Sequence, residues 1–143
     1  MVKNVARVWR VGAVALAAVL LWTGTGRIAH AMTAAEAGKM YYRQYCASCH
    51  GASGKGDGPL SMQLKTKTPD LTQLAKKSGG KFPYMEVLDI IDGTNPLPSH
   101  GGKEMPAWGE TFQSDVGGDT MQQAAVRGRL MLLTDYIRSI QEK

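Results

Sequence analysis

The pentapeptide Cys46-Ala-Ser-Cys-His50 constrains this chain more than any other feature, because it holds the only two cysteines among 143 residues. A disulfide between cysteines this close would span too small a loop to remove much chain entropy, and a single pair cannot staple a secreted fold at several points. The pair must serve something other than a disulfide framework.

What it serves depends on the compartment. Lys3, Arg7 and Arg10 precede an almost wholly apolar run, VGAVALAAVLLW at 11–22, and small and polar residues then lead to Ala29-His30-Ala31. Basic start, apolar middle and A-x-A end are the parts of a secretory signal, with cleavage expected after Ala31. The rival is an uncleaved anchor, but the apolar run is well short of the ~20 residues that span a bilayer. The expected mature chain is residues 32–143, one domain in size and exported. Lys3, Arg7, Arg10 and Arg27 leave with the signal and no acid does, which removes most of the formal charge of +5. Lys76-Lys77 is then the only adjacent basic pair, so nucleic-acid binding is disfavoured.

In an exported protein the pentapeptide has three possible meanings. A thioredoxin-like pair needs a βαβ surrounding, and no pattern of apolar strands is present. A structural zinc site needs four ligands, whereas His100 is the only His or Cys left outside the motif after cleavage. The third meaning is covalent haem attachment, whose signature is C-x-x-C-H. Two thiols three apart can each add to one vinyl group of a single porphyrin, with the adjacent His50 beneath the iron. The cofactor expected is therefore one haem c, bound through Cys46 and Cys49.

Around the motif the pattern is helical. Thr33-Ala-Ala-Glu36 has the form of a capping box, and the following residues run without proline into Cys46, with Gly38, Tyr42 and Cys46 on one face. Near the other end Val126, Leu130, Leu133, Ile137 and Ile140 recur at alternating spacings of four and three, an amphipathic helix with Tyr136 beside its stripe. Gly128 weakens that helix. Between them, Thr68-Pro69 predicts a helix start running through residues 70–78 to Gly79-Gly80, and Pro83 predicts another over 84–92 closed by Gly93. The stretch 51–60, GASGKGDGPL, is too rich in glycine for helix or strand and lacks the ending of a P-loop. Residues 94–112, broken by Pro96, Pro98 and Pro106, are expected to be irregular, and so long a loop in a small domain is usually functional.

With these residues in view the chain resembles the class I cytochromes c, small monohaem electron carriers of the bacterial periplasm, over essentially all of residues 32–143. The resemblance implies an all-α fold of about four helices and long loops around one covalently bound haem. It implies that Gly38 and Tyr42 cross the C-terminal helix near Leu133 and Tyr136. It makes His50 and Met105, the latter in a Met-Pro pair, the axial iron ligands, and makes the Pro59 carbonyl in Gly58-Pro59-Leu60 the acceptor that orients the His50 ring. Trp108 and Phe112 are expected on the porphyrin or closing the loop, with Trp108 counted among the haem-binding residues. Methionine suits both iron states and raises the potential. His100, in the same loop, is the rival sixth ligand. The other methionines after residue 31 read as core or surface.

A haem with both axial positions filled cycles between Fe(II) and Fe(III) and is expected to carry electrons rather than catalyse a reaction. Its partners would be redox proteins, with the chain a monomer or a subunit of a respiratory complex, and membrane contact only if the N-terminal segment is retained. Two other readings stand beside this one: a haem subunit of a dehydrogenase or oxidase complex, and a gas-binding or peroxidase-like protein with a labile distal ligand.

Overall fold

The computed structural model describes residues 31–95, 105–116 and 119–143. The expected signal segment before Ala31, and His100, lie outside the described residues. Residues 32–143 form one compact unit. Among the described residues there are six α-helices and no strand: α1 (Ala34–Tyr45), α2 (Ala47–His50), α3 (Leu74–Lys77), α4 (Tyr84–Asp92), α5 (Trp108–Val116) and α6 (Thr120–Ser139). Two short 3-10 turns, Ser61–Gln63 and Leu71–Gln73, stand in the connection between α2 and α3.

Helix α1 begins at the predicted capping box. The Glu36 amide donates to Thr33 Oγ1 at 3.2 Å, and the Thr33 amide donates back to Glu36 Oε2 at 2.8 Å. The Thr33 amide, with the Thr33 hydroxyl that donates to the same oxygen at 2.9 Å, holds the Glu36 carboxyl below its ordinary range. Helix α6 carries a box that the sequence reading did not name, in which Asp119 and Gln122 exchange the same two bonds at 2.9 Å each.

α1 and α6 cross at Gly38, which is buried. A Cβ there would fall on the Leu132 carbonyl oxygen and 2.9 Å from the Tyr136 Cβ. Only glycine lets the two backbones approach this far, as the resemblance to the class I cytochromes c implies. Tyr42, one turn on, packs its ring on Tyr136 with centroids 4.9 Å apart. Val126, Leu130, Leu133 and Ile137 are all buried along the predicted stripe, and Tyr42, Phe112 and Leu133 are completely enclosed. The apolar spacing of α6 therefore points at α1, and the core sits between them.

Two expectations change. The helix predicted from Thr68-Pro69 begins later and is broken: Asp70 is the cap, followed by the 3-10 turn and the four-residue α3. The physical reason is competition for amides. Asp70 Oδ1 accepts from both the Thr72 amide at 2.9 Å and the Thr72 hydroxyl at 2.6 Å, while the Leu71 amide donates to Gly54 across the fold at 2.7 Å. The second change is in the 94–112 stretch, whose end is not irregular. Residues 108 onward form α5, so Trp108 and Phe112 lie one helical turn apart, within the all-α fold expected. After Pro106 no further proline interrupts the chain, and the Thr111 amide reaches the Ala107 carbonyl at 3.3 Å. The other predicted stops hold: Gly79, Gly80 and Gly93 all adopt positive φ at helix ends.

Candidate functional site

Helix α1 delivers its last turn directly into the Cys-X-X-Cys-His segment. The Cys46 amide donates to Tyr42 at 2.9 Å, and the Cys49 and His50 amides both donate to Cys46, at 3.2 and 2.9 Å. One tight turn thus brings both thiols and the imidazole together. Cys46 and His50 are buried, Cys49 is half-buried, and the two sulfurs are not bonded to one another. Burial, with a smaller contribution from Cys49, pushes the Cys46 thiol up to about 12.

The glycine-rich stretch folds back over this turn. The carbonyls of Ser48, Cys49 and His50 accept in order from the amides of Leu60, Gly58 and Gly56, at 2.9, 3.2 and 2.9 Å. A short helix that would otherwise leave its carbonyls bare is capped by its own downstream loop. Close approach is a condition of this pairing, since a Cβ on Gly58 would lie 2.6 Å from the Cys49 carbonyl oxygen. Pro59, exposed between Gly58 and Leu60, is held against the motif by its two neighbours. The loop is tied to the core as well, because the Tyr42 hydroxyl donates to the Gly51 carbonyl at 2.8 Å.

Beside the turn lies a cavity of about 380 Å³, walled by Cys46, His50, Leu71, Val87, Ile91 and Met105 among others. A smaller one of about 60 Å³ adjoins it and is lined by Cys49, Thr68 and Trp108 as well as Cys46, His50 and Met105. The structure therefore brings Met105 to the same cavities as Cys46 and His50, although the three come from opposite ends of the domain's sequence. Trp108 packs its ring on Tyr45 at 5.3 Å, and Phe112 closes the group, 5.1 Å from Tyr45 and 5.8 Å from Trp108. Aromatic edges and faces at these separations add to burial.

This site fits a porphyrin. Its volume lies in the range of small-molecule and cofactor pockets, its walls are apolar, and its donors are two thiols, an imidazole and a thioether. Thr68 is 6 % exposed and its hydroxyl has no hydrogen-bond partner, so a polar atom waits in the wall of an otherwise apolar cavity. Val87 and Ile91 fall in the helix predicted over 84–92, whereas Leu71 and Thr68 were not assigned to the site.

An all-α chain that wraps a Cys-X-X-Cys-His turn around such a cavity is a c-type cytochrome by fold and by site. A sequence model of the family described as cytochrome C oxidase, cbb3-type, subunit III matches residues 33–118, from the α1 cap to just beyond α5. The chain belongs to this family of class I c-type cytochromes, and it is a haem electron-transfer protein. No curated protein and no solved structure matches it.

Proposed function

We propose that this chain is an exported, periplasmic monohaem electron carrier whose haem c is attached through Cys46 and Cys49 and held axially by His50 and Met105. The observation that carries the reading is that His50 and Met105 line the same cavities, with the Cys46 thiol at their common wall. Haem bound there supplies a one-electron Fe(II)/Fe(III) couple. The protein's own residues supply the rest. Leu71, Val87 and Ile91 exclude water from one side, which lowers the local dielectric around the charge that changes on reduction. The Met105 thioether, a soft donor, would favour the reduced iron and would fill the position that a small molecule needs. The Gly58 and Leu60 amides are bonded to the Cys49 and Ser48 carbonyls on either side of Pro59, and the Pro59 carbonyl is the acceptor assigned to the His50 ring by the resemblance. Removal of segment 1–31 rests on its basic, apolar and A-x-A order.

The description of the matched family favours one second reading, a haem subunit held in a cbb3-type oxidase complex. Both readings share the electron-carrying site and differ only in whether the chain travels. Affinity purification from detergent-solubilised membranes separates them: a carrier comes down alone, a subunit with its oxidase. The shared site is tested by acid-acetone extraction and carbon monoxide binding. One haem that resists extraction and a reduced protein closed to carbon monoxide at neutral pH support it; extractable haem, or rapid binding, overturns the attachment or the axial assignment respectively.

A further inference from the structure

Met105 emerges from the chain only two and four residues before two unusually close backbone contacts. A Cβ at Gly93, where φ is +91°, would lie 2.5 Å from the Ala107 Cβ and 3.1 Å from its Cα. A Cβ at Gly109 would fall on Asp92 Oδ1 and come within 2.8 Å of the Asp92 carbonyl oxygen. The contacts are reciprocal: the last residue of α4 meets the second residue of α5, and the residue after α4 meets the one before α5. Together they bring the C-terminal end of α4 and the N-terminal end of α5 as near to each other as two backbones allow.

The far side of α5 is fixed too. Trp108 and Phe112 rest on Tyr45, the residue before Cys46. Arg129 of α6 stacks over the Phe112 ring at 5.6 Å and reaches the Asp115 carboxylate at 3.8 Å. The start of α5 has no slack in either direction, and Pro106 restricts the single residue between Met105 and Ala107.

We infer that Gly93 and Gly109 are positioning residues for the distal ligand, setting how far the Met105 sulfur reaches into the cavity opposite His50. This rests on the assignment of Met105 made above. A side chain at either glycine pushes α5 away from α4, and Met105 is carried with the start of α5 because Pro106 and Ala107 leave nothing to absorb the shift. The consequence is a longer, weaker iron–sulfur bond in a protein whose haem is still covalently attached. Since the displacement acts on one ligand, it appears in ligand-specific signals before it appears in folding.

The test uses the holoprotein and three variants: Gly109→Ala, Gly93→Ala and the pair Gly93→Ala with Ala107→Gly. Each is purified with its haem, and the near-infrared charge-transfer band of Met-ligated ferric haem, the reduction potential and carbon monoxide binding to the reduced form are recorded. The expected result is loss or strong weakening of the band, a lower potential and new carbon monoxide binding in both single variants. Removing the Ala107 methyl, which the new Cβ strikes, should restore part of each signal in the pair, the remainder reflecting the strain of a side chain at φ +91°. Gly128→Ala, where a Cβ meets nothing within 4 Å, serves as the control and should leave all three unchanged. Single variants that unfold more easily while keeping band, potential and exclusion of carbon monoxide would show a merely structural role and overturn the inference. Should Gly109→Ala yield no holoprotein, Gly93→Ala and its relieved partner decide the matter. Failure of the underlying assignment looks different: the wild type then lacks the band, or Met105→Ala keeps it.

Discussion

Tyr42 donates its hydroxyl proton to the carbonyl oxygen of Gly51 at 2.8 Å, so the residue one turn before Cys46 holds the residue just after His50. The Cys-X-X-Cys-His turn is clasped at both ends by one side chain. Replacing Tyr42 by Phe should cost about 1 kcal/mol, because the buried Gly51 carbonyl loses this donor and keeps the Gly54 amide at 3.2 Å; denaturant unfolding of the holoprotein measures it.

The same residue predicts the alkaline limit. Burial, reinforced by Cys46, Tyr136 and Asp57, raises the Tyr42 hydroxyl far above its ordinary 10.0. A raised folded value means that the unfolded chain loses the proton first, so this contribution is complete below about pH 10 and declines as pH rises beyond it. Tyr136 is raised as well, chiefly by burial, and adds to the decline. Unfolding free energy measured across pH 8 to 12 should fall steeply above about pH 10 in the wild type and less steeply in Tyr42→Phe.

Gly38 and Gly128 should respond in opposite directions to the same substitution. Alanine at Gly38 meets the Leu132 carbonyl and the Tyr136 Cβ, and forces α1 off α6. A loss of about 3 kcal/mol or more is expected. Alanine at Gly128 meets nothing, and should gain up to about 1 kcal/mol from helix propensity. Thermal unfolding of the two variants checks both signs.

Asp70 provides the acid limb at one cap. Its carboxyl is held below the ordinary range, first by the Thr72 hydroxyl and also by the Thr72 amide, Lys55 and Lys77. A depressed value stabilises the fold above the unfolded value near pH 4 and loses that stabilisation as pH falls through the folded one. Asp70→Ala should therefore cost about 1 kcal/mol at pH 7. The difference from wild type should shrink below about pH 4, as read from denaturant curves at successive pH values.

The distal ligand is tested by paired substitutions. Met105→Ala should abolish the near-infrared band, lower the potential and admit carbon monoxide, since a soft sulfur donor is lost. His100→Ala should leave all three nearly unchanged. The reverse pattern would make the protein a bis-histidine cytochrome.

Much of this was legible because it depends on short spacings. The α1 cap and the α6 stripe follow from spacings within a single helix, and each appears where its residues predict, whereas the Gly38 crossing was implied by the resemblance to the class I cytochromes c. Helix α5 was not legible, since prolines up to Pro106 announce a loop and only nine residues follow in the helix. Asp70 displaced the predicted Thr68 cap because its carboxylate captures the amide and hydroxyl of Thr72, a competition that spacing alone does not rank.

By itself the sequence determined the grouping of Cys46, Cys49 and His50 on which the proposed haem attachment rests, because C-x-x-C-H is a local matter of three residues in one turn. It also determined the helical class, through repeats that a helix reads within its own length. Only the tertiary structure decided what faces that turn. Met105 reaches the cavity of His50 because α5 is wedged between Asp92 and Gly93 on one side and Tyr45 and Arg129 on the other, and the Ser48, Cys49 and His50 carbonyls are capped because glycines let a loop close on them. Such contacts join residues distant in the chain, and their geometry is set by backbone clearances of a few tenths of an ångström that emerge only when all the helices pack at once.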